Sequence, residues 1–121
     1  MIAFNENKSI YLQIAERICD MILDERLREG ERVPSVRETA AEMEVNINTV
    51  NRAYAVLQSQ DIIDTQRGLG YFVNEGASTR IFDSRRNEFI ERELPDFMER
   101  ARKLGLAKAD IVRAFEKRRR G

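Results

Sequence analysis

The side chains best suited to chemistry cluster between Ile47 and Ser59: Asn48, Thr49, Asn51 and Arg52. Opposite them, at spacings of three and four, run Val50, Ala53, Tyr54 and Leu57. That period belongs to an amphipathic helix with one buried face. Amide and guanidinium groups on the outward face suit hydrogen bonds to base edges and phosphates in a DNA major groove. Ala55 beside them leaves room for close approach. Ile47, in the first turn, either packs at the core edge or meets a thymine methyl. Any solvated helix also shows a polar face, so DNA binding needs support from elsewhere in the chain.

Two further clusters supply it. Ser35-Val36-Arg37-Glu38 reads as a capping box at a helix start. The free amides and dipole there favour an anion, and Arg37 adds a fixed charge. Arg67-Gly68-Leu69-Gly70 reads as a hairpin tip. A narrow minor groove attracts arginine, and Gly68 lets the backbone come close; a plain turn is the simpler account. Thr49 suits a phosphate or a bond within its own turn. Lys8 is a weaker phosphate candidate.

Enzymatic chemistry is hard to assemble from this chain. It has no histidine, the commonest general base and metal ligand. The single cysteine, Cys19, excludes an internal disulfide and has no imidazole to activate it. The carboxylates alternate with Arg and Lys as on solvated helices. No catalytic residue, metal site or cofactor is expected. No apolar run approaches the roughly 20 residues that span a bilayer. Residues 1–6, Met-Ile-Ala-Phe-Asn-Glu, lack a basic leader and an apolar segment. These features point to the cytoplasm.

The candidate residues need a scaffold. A first helix is expected from about Ser9 to Leu27, burying Ile10, Tyr11, Ile14, Ala15, Ile18, Met21 and Ile22, with Leu12, Cys19 and Leu23 on a flanking stripe. Gly30 is its expected cap. A second helix runs from Val36 to Glu44, with Val36, Ala40 and Met43 inward. Asn46 caps the third, Ile47 to Ser59. The period then changes from 3.6 to 2, marking strands at Ile62–Thr65 and Gly70–Val73. The order is that of a winged helix-turn-helix over residues 1–76.

Residues 77–121 read as a helical segment for dimerisation. The fourth helix spans about Ser78 to Lys103, with a stripe of Phe82, Phe89, Ile90, Leu94, Phe97 and Ala101. Pro95 has no amide to donate, and its ring crowds the Glu91 carbonyl, so a kink or break is expected between Glu93 and Pro95. Gly105 ends this helix, and Leu106 can pack back on it. A fifth helix covers about Lys108 to Arg118, with Ile111, Val112 and Phe115 inward. The basic tail, residues 118–121, reads as a solvated end. Two short helices cannot bury these faces alone, so an isologous bundle of two chains is expected.

Charge is unevenly spread. The net charge is zero, but residues 1–76 carry −5 and residues 77–121 carry +5. The module expected to bind DNA is acidic, so contact must rest on a few placed groups instead of a broad basic field. A winged-helix module that binds protein instead of DNA is compatible with that balance.

Four stretches together resemble the GntR family of bacterial regulators: residues 10–15 (Ile-Tyr-Leu-Gln-Ile-Ala), 30–38 (Gly-Glu-Arg-Val-Pro-Ser-Val-Arg-Glu), 48–54 (Asn-Thr-Val-Asn-Arg-Ala-Tyr) and 67–73 (Arg-Gly-Leu-Gly-Tyr-Phe-Val). The short C-terminus, with Glu93-Leu94-Pro95 and Leu104-Gly105-Leu106, is similar to the YtrA subfamily. The resemblance implies a homodimer on a palindromic operator in double-stranded DNA, usually as a repressor, and often of transporter operons. It implies contacts from Ser35 and Arg37, from Asn48, Thr49 and Arg52, and from Arg67 and Gly68; the outward helix face adds Asn51. Two positions that often hold Arg in the family are Ile47 and Asn51 here. About 45 residues cannot enclose a pocket of ~300 Å³ within one protomer, so a small-molecule effector would have to sit between chains or modules.

Overall fold

The computed structural model describes residues 4, 5 and 7–120, with Arg120 by its backbone only. The leader reading at residues 1–6 and the end of the basic tail at Arg120 and Gly121 lie partly outside the described residues. The chain is mostly helical with one small antiparallel hairpin. Packing divides it into two compact units, the first ending at Asp83 and the second starting at Ser84.

In the first unit, helix α1 spans Ile10–Leu23 and buries Ile14, Ala15, Ile18, Cys19 and Ile22. It ends four residues earlier than its periodicity predicts. Glu25 turns left-handed (φ 63°), and the amides of Arg26 and Leu27 both donate to the Met21 carbonyl. That turn drops Leu27 into the core. Ile10 stays 45% exposed while Cys19 is buried, so the buried stripe is rotated toward Cys19. Gly30 does not cap this helix. Its amide donates to the Val73 carbonyl at 2.8 Å, and residues 30–33 run beside the hairpin.

Helix α2 spans Val36–Met43 and ends at Glu44, also left-handed (φ 56°). Helix α3 spans Ile47–Ser59, with Val50, Ala53, Tyr54 and Leu57 buried as the pattern requires. Strands β1 (Ile63–Gln66) and β2 (Gly70–Val73) pair antiparallel, Ile63 opposite Val73 and Gln66 opposite Gly70. A two-stranded hairpin is marginal alone. Here Val33 donates to Tyr71 and Val73 to Glu31, which adds a short third edge.

Tyr54 joins these elements. Its hydroxyl donates to the Pro34 carbonyl at 2.7 Å and accepts from the Thr39 hydroxyl at 2.8 Å. Its ring meets Tyr71 edge-on at 5.1 Å. Burial pushes its phenol above the ordinary 10.0. One side chain on α3 thus fixes the start of α2 and the hairpin. Tyr54→Phe leaves the Pro34 carbonyl without its donor and the buried Thr39 hydroxyl without its acceptor. The expected cost is about 2 kcal/mol, a fall in Tm on the order of 10 °C for a domain of this size. Melting curves of the two proteins check it, and a fall below about 2 °C would contradict it.

Helix α4 (Ala77–Glu88) begins in the first unit, where Ala77 and Ile81 are buried. The Glu29 carboxylate caps its start, accepting from the amides of Gly76 at 2.7 Å and Ser78 at 3.3 Å. Those bonds, the Gly76 amide's foremost, hold the Glu29 carboxyl below its ordinary value. Arg80 donates to the Asp61 and Glu75 carbonyls, linking α4 to the end of α3.

In the second unit the helical path does not break at Pro95. A π-helical turn, Phe89–Glu93, leads into helix α5, Leu94–Lys103. The Leu94 amide reaches back five residues to the Phe89 carbonyl. Pro95 follows as an early residue of α5, directly after the widened turn. The widened turn carries the helical run past the expected break. At the end of α5, Leu106 donates to Ala101 and Gly105 to Arg102, a Schellman motif with Gly105 left-handed (φ 75°). Leu106 is still 47% exposed. Helix α6 spans Lys108–Arg120, two residues longer than predicted, and the Asp110 carboxylate accepts from the Ala107 amide at its start.

Candidate nucleic-acid interface

The α3 face opposite the core presents Asn48, Asn51 and Arg52 to solvent, with Thr49 half-buried. Its register is set by Asn46. The Asn46 side chain accepts from the Asn48 amide at 2.7 Å, and its carbonyl accepts from Thr49 and Val50. The Asn48 side chain itself is left outward. No carboxylate occurs between Glu44 and Asp61. The acidic balance of the module therefore sits on other segments, and this helix offers only neutral and positive groups.

Arg52 does not project freely. Its guanidinium carbon lies 4.0 Å from the centroid of the Tyr11 ring on α1. Tyr11 reads as core in the sequence; in the fold it is half-buried and carries a cation. The contact joins residues 41 apart in sequence, so no local spacing signals it. Cation–π contacts at such sites are worth about 0.5–1 kcal/mol. Tyr11→Leu keeps the apolar contact and removes the ring. The expected result is DNA binding weakened about two- to fivefold, because an unrestrained Arg52 loses more freedom on binding. Titration of a labelled duplex checks it; tighter binding would mean that Tyr11 holds Arg52 away from DNA.

At the start of α2 the capping box is complete. The Ser35 Oγ accepts from the Glu38 amide at 3.1 Å, and the Glu38 carboxylate accepts from the Ser35 amide at 3.2 Å. The Ser35 hydroxyl, the Ser35 amide and the nearby Arg32 hold the Glu38 carboxyl below its ordinary value. A phosphate at Ser35 would thus share this helix end with a carboxylate. Arg37 beside it is exposed. Lys8 is engaged, its Nζ 2.6 Å from the Glu16 carboxylate.

At the hairpin tip Arg67 and Gly68 are exposed, and Leu69 is 61% exposed. The turn closes through the Leu69 amide on the Gln66 carbonyl at 2.9 Å. Gly68 has φ 78°, which glycine adopts without strain. Arg32 reaches this tip from the loop before α2, its Nε donating to the Leu69 carbonyl at 3.1 Å. Sequence reasoning passes over Arg32, because only the tertiary fold brings residue 32 to residue 69. Among the described residues no group of three or more His, Cys, Asp or Glu is placed to hold a metal, and no helix is long and apolar enough to cross a membrane.

A helix-turn-helix with a polar, carboxylate-free second helix and a glycine-tipped hairpin beside it is a winged-helix DNA-binding module. Residues 10–73 match the family described as bacterial regulatory proteins, gntR family. The chain belongs to that family of DNA-binding transcription regulators, which are not enzymes. It is 34% identical over 113 residues to the HTH-type transcriptional regulator YhcF of Bacillus subtilis, covering 93% of this chain and 92% of that protein. It is 37% identical over 76 residues to the HTH-type transcriptional repressor YtrA of the same organism, covering 63% of this chain and 58% of that one. A GntR-family regulator from Bacteroides thetaiotaomicron superposes with a TM-score of 0.80 at 41% identity, covering 93% of this chain and 99% of its own.

Proposed function

We propose that this chain is a cytoplasmic repressor that binds a palindromic operator as a homodimer. Residues 1–76 read one half-site each, and residues 77–121 join the two chains. The observation that carries the reading is the α3 face, where Asn48, Asn51 and Arg52 stand outward on a helix whose opposite residues are wholly buried. Asn and Arg address base edges there, and Thr49 addresses the backbone. Ser35 and Arg37 add contacts at the start of α2, and Arg67 and Gly68 add contacts from the wing.

Dimerisation is supported by the second unit. Phe89, Ile90, Phe97, Met98, Leu104, Leu106, Val112 and Phe115 are each between 42% and 77% exposed. So dense an apolar surface on under 40 residues calls for a partner, and a second copy supplies it with closed symmetry. Two modules so joined meet the major groove about one helical turn apart, or somewhat further. Repression is supported by likeness to YtrA, which is named a repressor.

The test is selection of genomic DNA by the purified chain, read for a palindrome and its spacing. A two-fold site upstream of a transcription unit is the expected result, and the adjacent genes show whether a transporter operon is the target. Enrichment of no sequence above background would refute the reading.

A further inference from the structure

We infer that Arg32 is a positioning residue for the wing: it fixes where Arg67 and Gly68 sit relative to the start of α2. This rests on the DNA-binding reading above but assigns a role to a residue outside the proposed contact set. One guanidinium reaches two elements. Its Nε donates to the Leu69 carbonyl at 3.1 Å, and its Nη1 lies 3.7 Å from the Glu38 carboxylate. Glu38 in turn closes the capping box of α2. The tip of the wing and the first turn of α2 are therefore joined through one side chain.

The backbone is arranged around this contact. Arg32 bridges Phe72 on β2, and Val33 donates to the Tyr71 carbonyl, so the Arg32 side chain starts alongside the outgoing strand. Gly70 has φ 106°, and a Cβ built there would stand 3.2 Å from the Arg32 Nε. A side chain at position 70 would crowd the guanidinium; glycine leaves its path open. A short two-stranded hairpin has little rigidity of its own. Without Arg32 the described tip keeps only its internal turn and ladder bonds, and Arg67 would be presented over a wider range of positions. Ordering it at the groove would then cost binding free energy.

Arg32 is half exposed, so Arg32→Ala is expected to fold. The experiment uses the full chain and the duplex it selects from genomic DNA, with Arg32→Ala, Arg67→Ala and the double variant. Arg67→Ala is expected to weaken binding ~10-fold in the wild-type background and less than ~3-fold in the Arg32→Ala background. Hydrogen exchange without DNA is expected to quicken at the Leu69 amide, with α1 and α3 unchanged. Both results are required. An equal loss from Arg67→Ala in the two backgrounds would show that Arg32 acts independently, as a phosphate contact or not at all. Unchanged exchange at Leu69 would show that the clamp does not hold the tip. If the wild type selects no duplex, the DNA reading falls, and the exchange measurement still decides whether Arg32 anchors the wing.

Discussion

Arg37→Ala, Arg52→Ala and Arg67→Ala in one chain reduce affinity for the selected duplex by at least ~1,000-fold, to the level of non-specific binding. The size follows from scarcity and symmetry. The first 76 residues carry eight cations against thirteen carboxylates. Of those cations, Lys8, Arg26 and Arg32 face a carboxylate within 4.0 Å. Arg37, Arg52 and Arg67 lie at the three elements proposed to meet DNA, and each loss counts twice in a dimer. A contact to a base edge is worth about 1–3 kcal/mol, and 1.4 kcal/mol is tenfold. The two Arg37 side chains removed from phosphates also lower the slope of log affinity against log salt by about 2. A gel-shift series at several salt concentrations measures both. An affinity within threefold of wild type would sink the DNA-binding assignment of these residues and favour a winged helix that binds protein.

Phe89→Asp with Phe97→Asp is expected to convert the proposed dimer to a monomer and to cost ~100- to 10,000-fold in affinity for the selected duplex, the range lost when two linked sites become one. Both rings are 50% exposed in the single chain. A carboxylate there disturbs no core contact of the protomer but would lie within the proposed bundle, where an unpaired buried charge is strongly unfavourable. Sedimentation or light scattering reports the mass, and circular dichroism reports that the helices persist. A variant that remains a dimer would exclude the second unit's apolar face as the interface. A monomer that binds the full palindrome as tightly as wild type would exclude dimerisation as the source of affinity.

The two expectations draw on different parts of the chain, and these were legible to different degrees. Helix α3 could be read in full. Val50, Ala53, Tyr54 and Leu57 share one face by period alone, Asn46 is a cap by type, and the outward Asn48, Asn51 and Arg52 follow by geometry. The capping box at Ser35 and Glu38 and the hairpin at Gly68 and Gly70 were equally local. Each depends on residues within four positions of one another, where backbone preference and side-chain chemistry act without the rest of the fold.

What the sequence determined by itself is therefore the order of elements, the face of α3 that turns outward, and the family. Tertiary structure decided where elements end and which side chains hold the candidate contacts. Helix α1 stops at Leu23 because Leu27 has a place in the core, and no residue near it announces that. The helical run passes Pro95 without a break because the five preceding residues form a π turn. Arg52 is carried by Tyr11, and the wing tip by Arg32, across 41 and 37 residues. Such contacts leave no periodic trace, because chain closure alone brings the partners together.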